Sequence, residues 1–125
     1  MCSAYPLTGY SILVVEDEPL IALDLAEVFQ SAGAQVVCGR NGAEARVALE
    51  TGGLRAAVVD YGLANDDAVA LCAELAQRGI PYMFYSGYSD LQESFPRNVV
   101  VQKPAACKKL ISAMAGLISR SAQAA

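Results

Sequence analysis

The chain contains no histidine. A Ser-His-Asp triad, an imidazole metal site and a phosphohistidine carried on this polypeptide are therefore excluded. Its four cysteines, Cys2, Cys38, Cys72 and Cys107, are widely spaced and include no Cys-x-x-Cys pair, so neither a disulfide framework nor a zinc site is supported. Reduced cysteines used as small apolar residues are expected instead. Basic residues are also few: nine Lys and Arg against thirteen Asp and Glu leave a net charge of −4. A nucleic-acid surface needs clustered cations, and the one local basic cluster, Lys103, Lys108 and Lys109, has no aromatic residue interleaved with it. No nucleic-acid partner is expected. Apolar runs are short and interrupted, so none is expected to span a membrane. The stretch from Met1 to Tyr10 lacks the basic start and apolar core of a secretory signal. These absences predict a soluble, cytoplasmic protein.

What remains is a globular balance, 54% hydrophobic and 18% charged residues in a chain of 125. That length suits one domain over 1–125, with a core from about 10 to 118 and no attached output domain. Ser11-Ile12-Leu13-Val14-Val15 reads as a strand buried on both faces. Pro19 opens a helix carrying Ile21, Leu25, Val28 and Phe29 at helical spacing, with Gly33 as its stop. Gln35 to Cys38 reads as a second strand, and Asn41 caps a helix to about Leu49. Ala56-Ala57-Val58-Val59 leads into Asp60, and a helix from about Asp66 carries Leu71 and Leu75. Tyr82 to Tyr85 and Asn98 to Gln102 supply two more strands, and a last helix buries Leu110, Met114, Leu117 and Ile118. The Ala- and Ser-rich tail from Ser119 is expected to fray. Between Gly87 and Arg97, weak periodicity and Pro96 predict a short or irregular fourth helix. Strand and helix thus alternate as in an α/β protein with a parallel sheet and helices on both faces.

In such sheets ligands gather beyond the carboxyl ends of the strands. Strand one is followed by Glu16, Asp17 and Glu18, strand three by Asp60, strand four by Ser86 and strand five by Lys103. If strands one and three are neighbours, Glu16, Asp17 and Asp60 converge. Grouped carboxylates repel one another unless a hard cation neutralises them, which points to Mg²⁺. Asp17 and Asp60 are candidate direct ligands, Glu16 binds directly or through water, and the Gly62 backbone carbonyl is a further candidate. An incoming phosphoryl group spreads charge over three oxygens that Mg²⁺, the Lys103 ammonium and the Ser86 hydroxyl can share. Pro104 beside the lysine admits a cis bond that would aim it. Singly, these residues read as helix caps, turn residues and surface charges. Their joint order at four strand ends favours the chemical reading.

The runs Ile12-Leu13-Val14-Val15-Glu16-Asp17-Glu18-Pro19, Val58-Val59-Asp60, Ser86-Gly87-Tyr88 and Lys103-Pro104 resemble the response-regulator receiver domain, over roughly Tyr10 to Ile118. Phe84-Tyr85-Ser86-Gly87-Tyr88 further resembles the signature of the FAT GUY subgroup of stand-alone receivers. The resemblance implies a flavodoxin-like (CheY-like) three-layer α/β/α sandwich with strand order 2-1-3-4-5. It also implies phosphorylation at Asp60 by a histidine kinase or histidine phosphotransfer protein with Mg²⁺. Glu16 and Asp17 match the acidic pair, Ser86 the switch hydroxyl and Lys103 the phosphate-contacting lysine. The family places an aromatic switch residue three positions before the lysine, where this chain has Val100; either Tyr88 or Tyr85 is the substitute or the switch works differently. Ala105 stands where a Phe often follows Lys-Pro. Tyr88 is also expected to shield an acyl phosphate from water.

The expected role is a phosphorylation-controlled signalling module, with output by protein–protein contact or phosphate shuttling, not a turnover enzyme. A phosphorylation-independent pseudo-receiver scaffold is the alternative. A haloacid-dehalogenase-type phosphatase is disfavoured because its nucleophile would follow strand one with a second Asp two residues on, where Glu18-Pro19 follow Asp17. A flavin site is disfavoured by the acidic cluster in place of a phosphate loop. A monomer or weak homodimer is expected.

Overall fold

Short β-branched runs separated by amphipathic stretches can bury their apolar surface only in layers, and the computed structural model is built that way. It describes residues 5–60, 65–87, 98–103 and 106–124. The elements are β1 (Ser11–Val15), α1 (Pro19–Ser31), β2 (Gln35–Gly39), α2 (Gly42–Thr51), β3 (Leu54–Val59), α3 (Asn65–Gln77), β4 (Tyr82–Ser86), β5 (Val99–Gln102) and α4 (Cys107–Ala124). The short or irregular helix expected between β4 and β5 falls largely on 88–97, outside the described residues, so α4 denotes the C-terminal helix.

The strands form one sheet in the order β2-β1-β3-β4-β5, every pairing parallel. The strand order reverses beside β1, so β1 and β3 part their following loops to opposite sides of a crevice. Alternation along each strand divides the core in two. Ile12, Val14, Ala56, Val58, Met83 and Tyr85 pack with Leu25 and Phe29 of α1 and Leu110, Met114 and Ile118 of α4. Leu13, Val15, Ala57, Val59 and Phe84 pack on the other face with Ala45 and Leu49 of α2 and Leu71 and Leu75 of α3. This is the flavodoxin-like three-layer sandwich.

Local chemistry sets the helix starts. Pro19 occupies the first turn of α1, where its missing N–H costs nothing. The Asn41 side chain accepts the Glu44 N–H at 2.9 Å, and Glu44 Oε1 accepts the Arg40 N–H at 2.8 Å, so the two residues satisfy donors on both sides of the α2 start.

The C-terminal helix continues past Ser119 to Ala124, over a stretch rich in the good helix formers Ala and Gln. One expectation is corrected: among the described cysteines only Cys72 is a buried apolar substitute, whereas Cys38, on edge strand β2, and Cys107, at the start of α4, are exposed. No disulfide joins these three residues. Among the described residues no helix is long and apolar enough to cross a membrane.

Candidate functional site

The main chain fixes the crevice before any side chain enters it. The Glu16 N–H donates to Gly39 O at 3.0 Å, the Asp60 N–H to Val15 O at 2.9 Å, and the Lys103 N–H to Ser86 O at 2.7 Å. Each bond extends a parallel ladder one residue past its strand, so the positions that follow β1, β3 and β5 are held at one edge, beside Ser86, the last residue of β4.

There Glu16, Asp17 and Asp60 each bring a carboxylate oxygen within 4.8 Å of the others. Asp17 is exposed, whereas Glu16 and Asp60 are only 1% and 6% exposed. Lys103 reaches across from β5. Its Nζ lies 3.2 Å from Glu16 Oε2 and 3.3 Å from Asp60 Oδ1. The second Glu16 oxygen accepts the Glu18 N–H at 3.1 Å. Ser86 is fully buried at the end of β4, with its carbonyl tied to Lys103. The fold therefore brings together Glu16, Asp17, Asp60 and Lys103 and places Ser86 on the adjoining strand. Gly62, Tyr88, Pro104 and Ala105 lie outside the described residues.

The electrostatics follow from this packing. Burial pushes the Glu16 carboxyl up to about 7, reinforced by a hydrogen bond with Asp60 and by its charge. The Glu18 amide and the Lys103 charge pull the other way without prevailing. Burial by itself would lower the Lys103 pKa, but the charges of Asp60 and Glu16 and its hydrogen bonds to them outweigh burial, leaving it raised. Fully ionised, the three carboxylates exceed the one ammonium by two negative charges. A hard divalent cation bound by oxygen matches both that surplus and that donor set, so these residues fit Mg²⁺.

Val100 lies on β5 opposite Phe84, half-buried against the α2–α3 side of the core. Tyr82 and Phe84 stack edge to face there, ring centres 5.8 Å apart, so the aromatic bulk of this side stands on β4. Tyr85 points to the α1–α4 side. It cannot occupy the space that a ring at position 100 would fill, which corrects its expected role as a substitute. The Tyr85 ring instead lies under Lys103, with Nζ 5.4 Å from its centre. Strand parity was the available signal: Tyr85 pairs with Val101, whose side faces the same layer as Lys103 two residues on.

No family model matches the chain. Among curated proteins, the sensor protein TorS of Escherichia coli K12 is 34% identical over 87 residues, which is 69% of this chain and 9% of TorS. The chain thus spans less than a tenth of that relative. Solved structures agree more broadly. A response regulator receiver domain protein (CheY-like) from Methanospirillum hungatei superposes with a TM-score of 0.79 at 18% identity, covering 93% of this chain and 98% of that one. A Thermotoga maritima response regulator gives 0.78 at 19% identity, covering 90% and 99%. The response regulator PhyR of Brucella abortus gives 0.83 at 23% identity, covering 97% of this chain and 53% of PhyR. The chain has the CheY-like fold of the response-regulator receiver domains.

Proposed function

We propose that this chain is a response-regulator receiver of a bacterial two-component or phosphorelay system, with Asp60 as its phosphoryl acceptor. The observation that carries this reading is the convergence of a buried Asp60 with Glu16, Asp17 and Lys103 at the carboxyl ends of β1, β3 and β5. Glu16, Asp17 and Asp60 would hold Mg²⁺, with the Gly62 carbonyl as a further ligand. When bound, Mg²⁺ supplies positive charge that neutralises the carboxylates and the transferring phosphoryl oxygens.

The chain's own residues account for the rest. An Asp60 carboxylate oxygen attacks the phosphorus of a phosphohistidine on a histidine kinase or phosphotransfer protein. The P–O bond forms as the P–N bond breaks, and the imidazole leaves on the donor. Lys103, already charged and hydrogen-bonded at the site, shifts its donors toward the new phosphoryl oxygens. Ser86 supplies a hydroxyl to another of them. The products are an acyl phosphate and an altered surface near β4 and β5, read by a downstream protein or by a phosphate shuttle. No turnover of a separate substrate is assigned. The working form is a cytoplasmic monomer or weak homodimer.

The test is incubation with Mg²⁺ and acetyl phosphate, or with a cognate kinase, beside Asp60→Asn. Wild type acquires one acid-labile phosphate and the variant none. Equal labelling of both proteins rejects Asp60, and no labelling from either donor type supports the phosphorylation-independent scaffold.

A further inference from the structure

We propose that Tyr85 is the positioning residue for Lys103: the face of its ring holds the ammonium between Glu16 and Asp60. This rests on the receiver reading and adds to it a residue that no matched motif assigns to the site.

The argument starts from the geometry of the lysine. Its main chain is pinned by the 2.7 Å bond to Ser86 O, but its four-carbon stem leaves the head free to rotate. Two of its contacts are at 3.2 and 3.3 Å, to Glu16 and Asp60. Its stem also borders a cavity of about 560 Å³ between α1 and α4. Asp24 and Glu27 of α1 line that cavity, but the charges acting on Lys103 are those of Asp60 and Glu16. These two carboxylates attract the head, and the cavity beside it leaves the flexible stem room to move.

Tyr85 supplies a third contact for the head. It is only 8% exposed and clamped in the α1–α4 core, so its ring is a fixed surface. Nζ lies 5.4 Å from the ring centre, inside the range over which the negative face of an aromatic ring attracts a cation. The ring also lines the cavity, occupying space beside the lysine head. An aliphatic residue there would fill part of that volume but offer no π face.

The experiment compares full-length wild type, Tyr85→Phe and Tyr85→Leu. Carbon-resolved NMR of the Lys103 ε-methylene reads the ring directly. Wild type and Tyr85→Phe show those protons shifted upfield by the ring current, and Tyr85→Leu returns them to the ordinary lysine position. In the acetyl phosphate assay Tyr85→Leu labels about tenfold more slowly than wild type, and Tyr85→Phe restores the rate. An ordinary ε-methylene shift in wild type overturns the proposal, as does a folded Tyr85→Leu that labels as fast as Tyr85→Phe. Tyr85→Met replaces Tyr85→Leu if the latter does not fold, and the wild-type shift decides if neither folds. If wild type takes no phosphate, the receiver reading fails while the NMR comparison still decides whether Tyr85 seats the lysine.

Discussion

The Lys103 ammonium lies 3.2 Å from Glu16, a carboxyl that is 1% exposed and shares its surroundings with a second buried acid. Two like charges and one cation leave the pair dependent on the lysine. Lys103 is one of the influences that lower the Glu16 pKa, set against the burial that raises it. Lys103→Met therefore moves Glu16 above its value of about 7. A carbon-detected titration of the Glu16 carboxyl in the metal-free variant checks this, and an unchanged midpoint shows that the contact carries no charge coupling.

The same carboxyl gives the metal-free protein an unusual response to pH. Glu16 holds its proton more tightly folded than unfolded, since its pKa rises from 4.5 to about 7. The stability it contributes is full below 4.5 and is lost as pH climbs through about 7. Urea midpoints without divalent metal are accordingly higher at about pH 5.5 than at about pH 8. Added Mg²⁺ narrows or reverses that difference, because the metal binds the deprotonated form.

Asp17 isolates the metal's share. It is exposed, so Asp17→Asn leaves metal-free stability within about 0.5 kcal/mol of wild type. Its loss as a ligand weakens Mg²⁺ binding about tenfold or more, which removes about 1.4 kcal/mol of the stabilisation that saturating metal provides. Thermal melts across a Mg²⁺ series measure both quantities. Equal metal-induced shifts in the two proteins remove Asp17 from the ligand set.

The parts of this molecule legible in the sequence are those governed by local rules. Ser11–Val15 is a strand buried on both faces, and nothing but a central parallel strand has that apolar density. Pro19 and Asn41 mark helix starts because each satisfies the chain in a way only a helix start allows. Boundaries governed by packing moved: β3 begins at Leu54, where pairing with Ser11 extends it, and β2 continues to Gly39. The order of the acidic and basic residues was readable, since each follows its strand directly. The setting of Glu16 was not, because its partner Lys103 is 87 residues away in the chain. The seat of Tyr85 was hidden by the same kind of distance, since its side of the sheet matters only once β4 and β5 are in register.

Gly33 tests one of those local rules. It follows the first helix as its stop and adopts φ +101°, a region that L side chains rarely enter. A Cβ there would also press on the Thr8 side chain and approach the Thr8 backbone nitrogen and Tyr5 Cβ at 3.0 Å. Gly33→Ala thus combines backbone strain with a clash against the segment that leads into β1. It costs about 1–3 kcal/mol in chemical unfolding. A loss below about 0.5 kcal/mol shows that residues 5–8 yield without cost.

Asp60→Asn tests the site from the opposite side to the lysine substitution. The main-chain bond from residue 60 to Val15 O does not involve the carboxyl, and Asn conserves the volume, so the variant keeps the strand end in place. What it loses is charge. Asp60 raises the Glu16 pKa both through its hydrogen bond and through like-charge repulsion. An amide in its place removes the repulsion and can donate to the Glu16 carboxylate. Glu16 then titrates below about 7, whereas Lys103→Met drives it higher. Opposite shifts in the two variants, read by the same carboxyl titration, mark the three residues as one coupled electrostatic unit. An unchanged midpoint in both variants shows that burial alone governs Glu16 and that its two neighbours are bystanders to its charge.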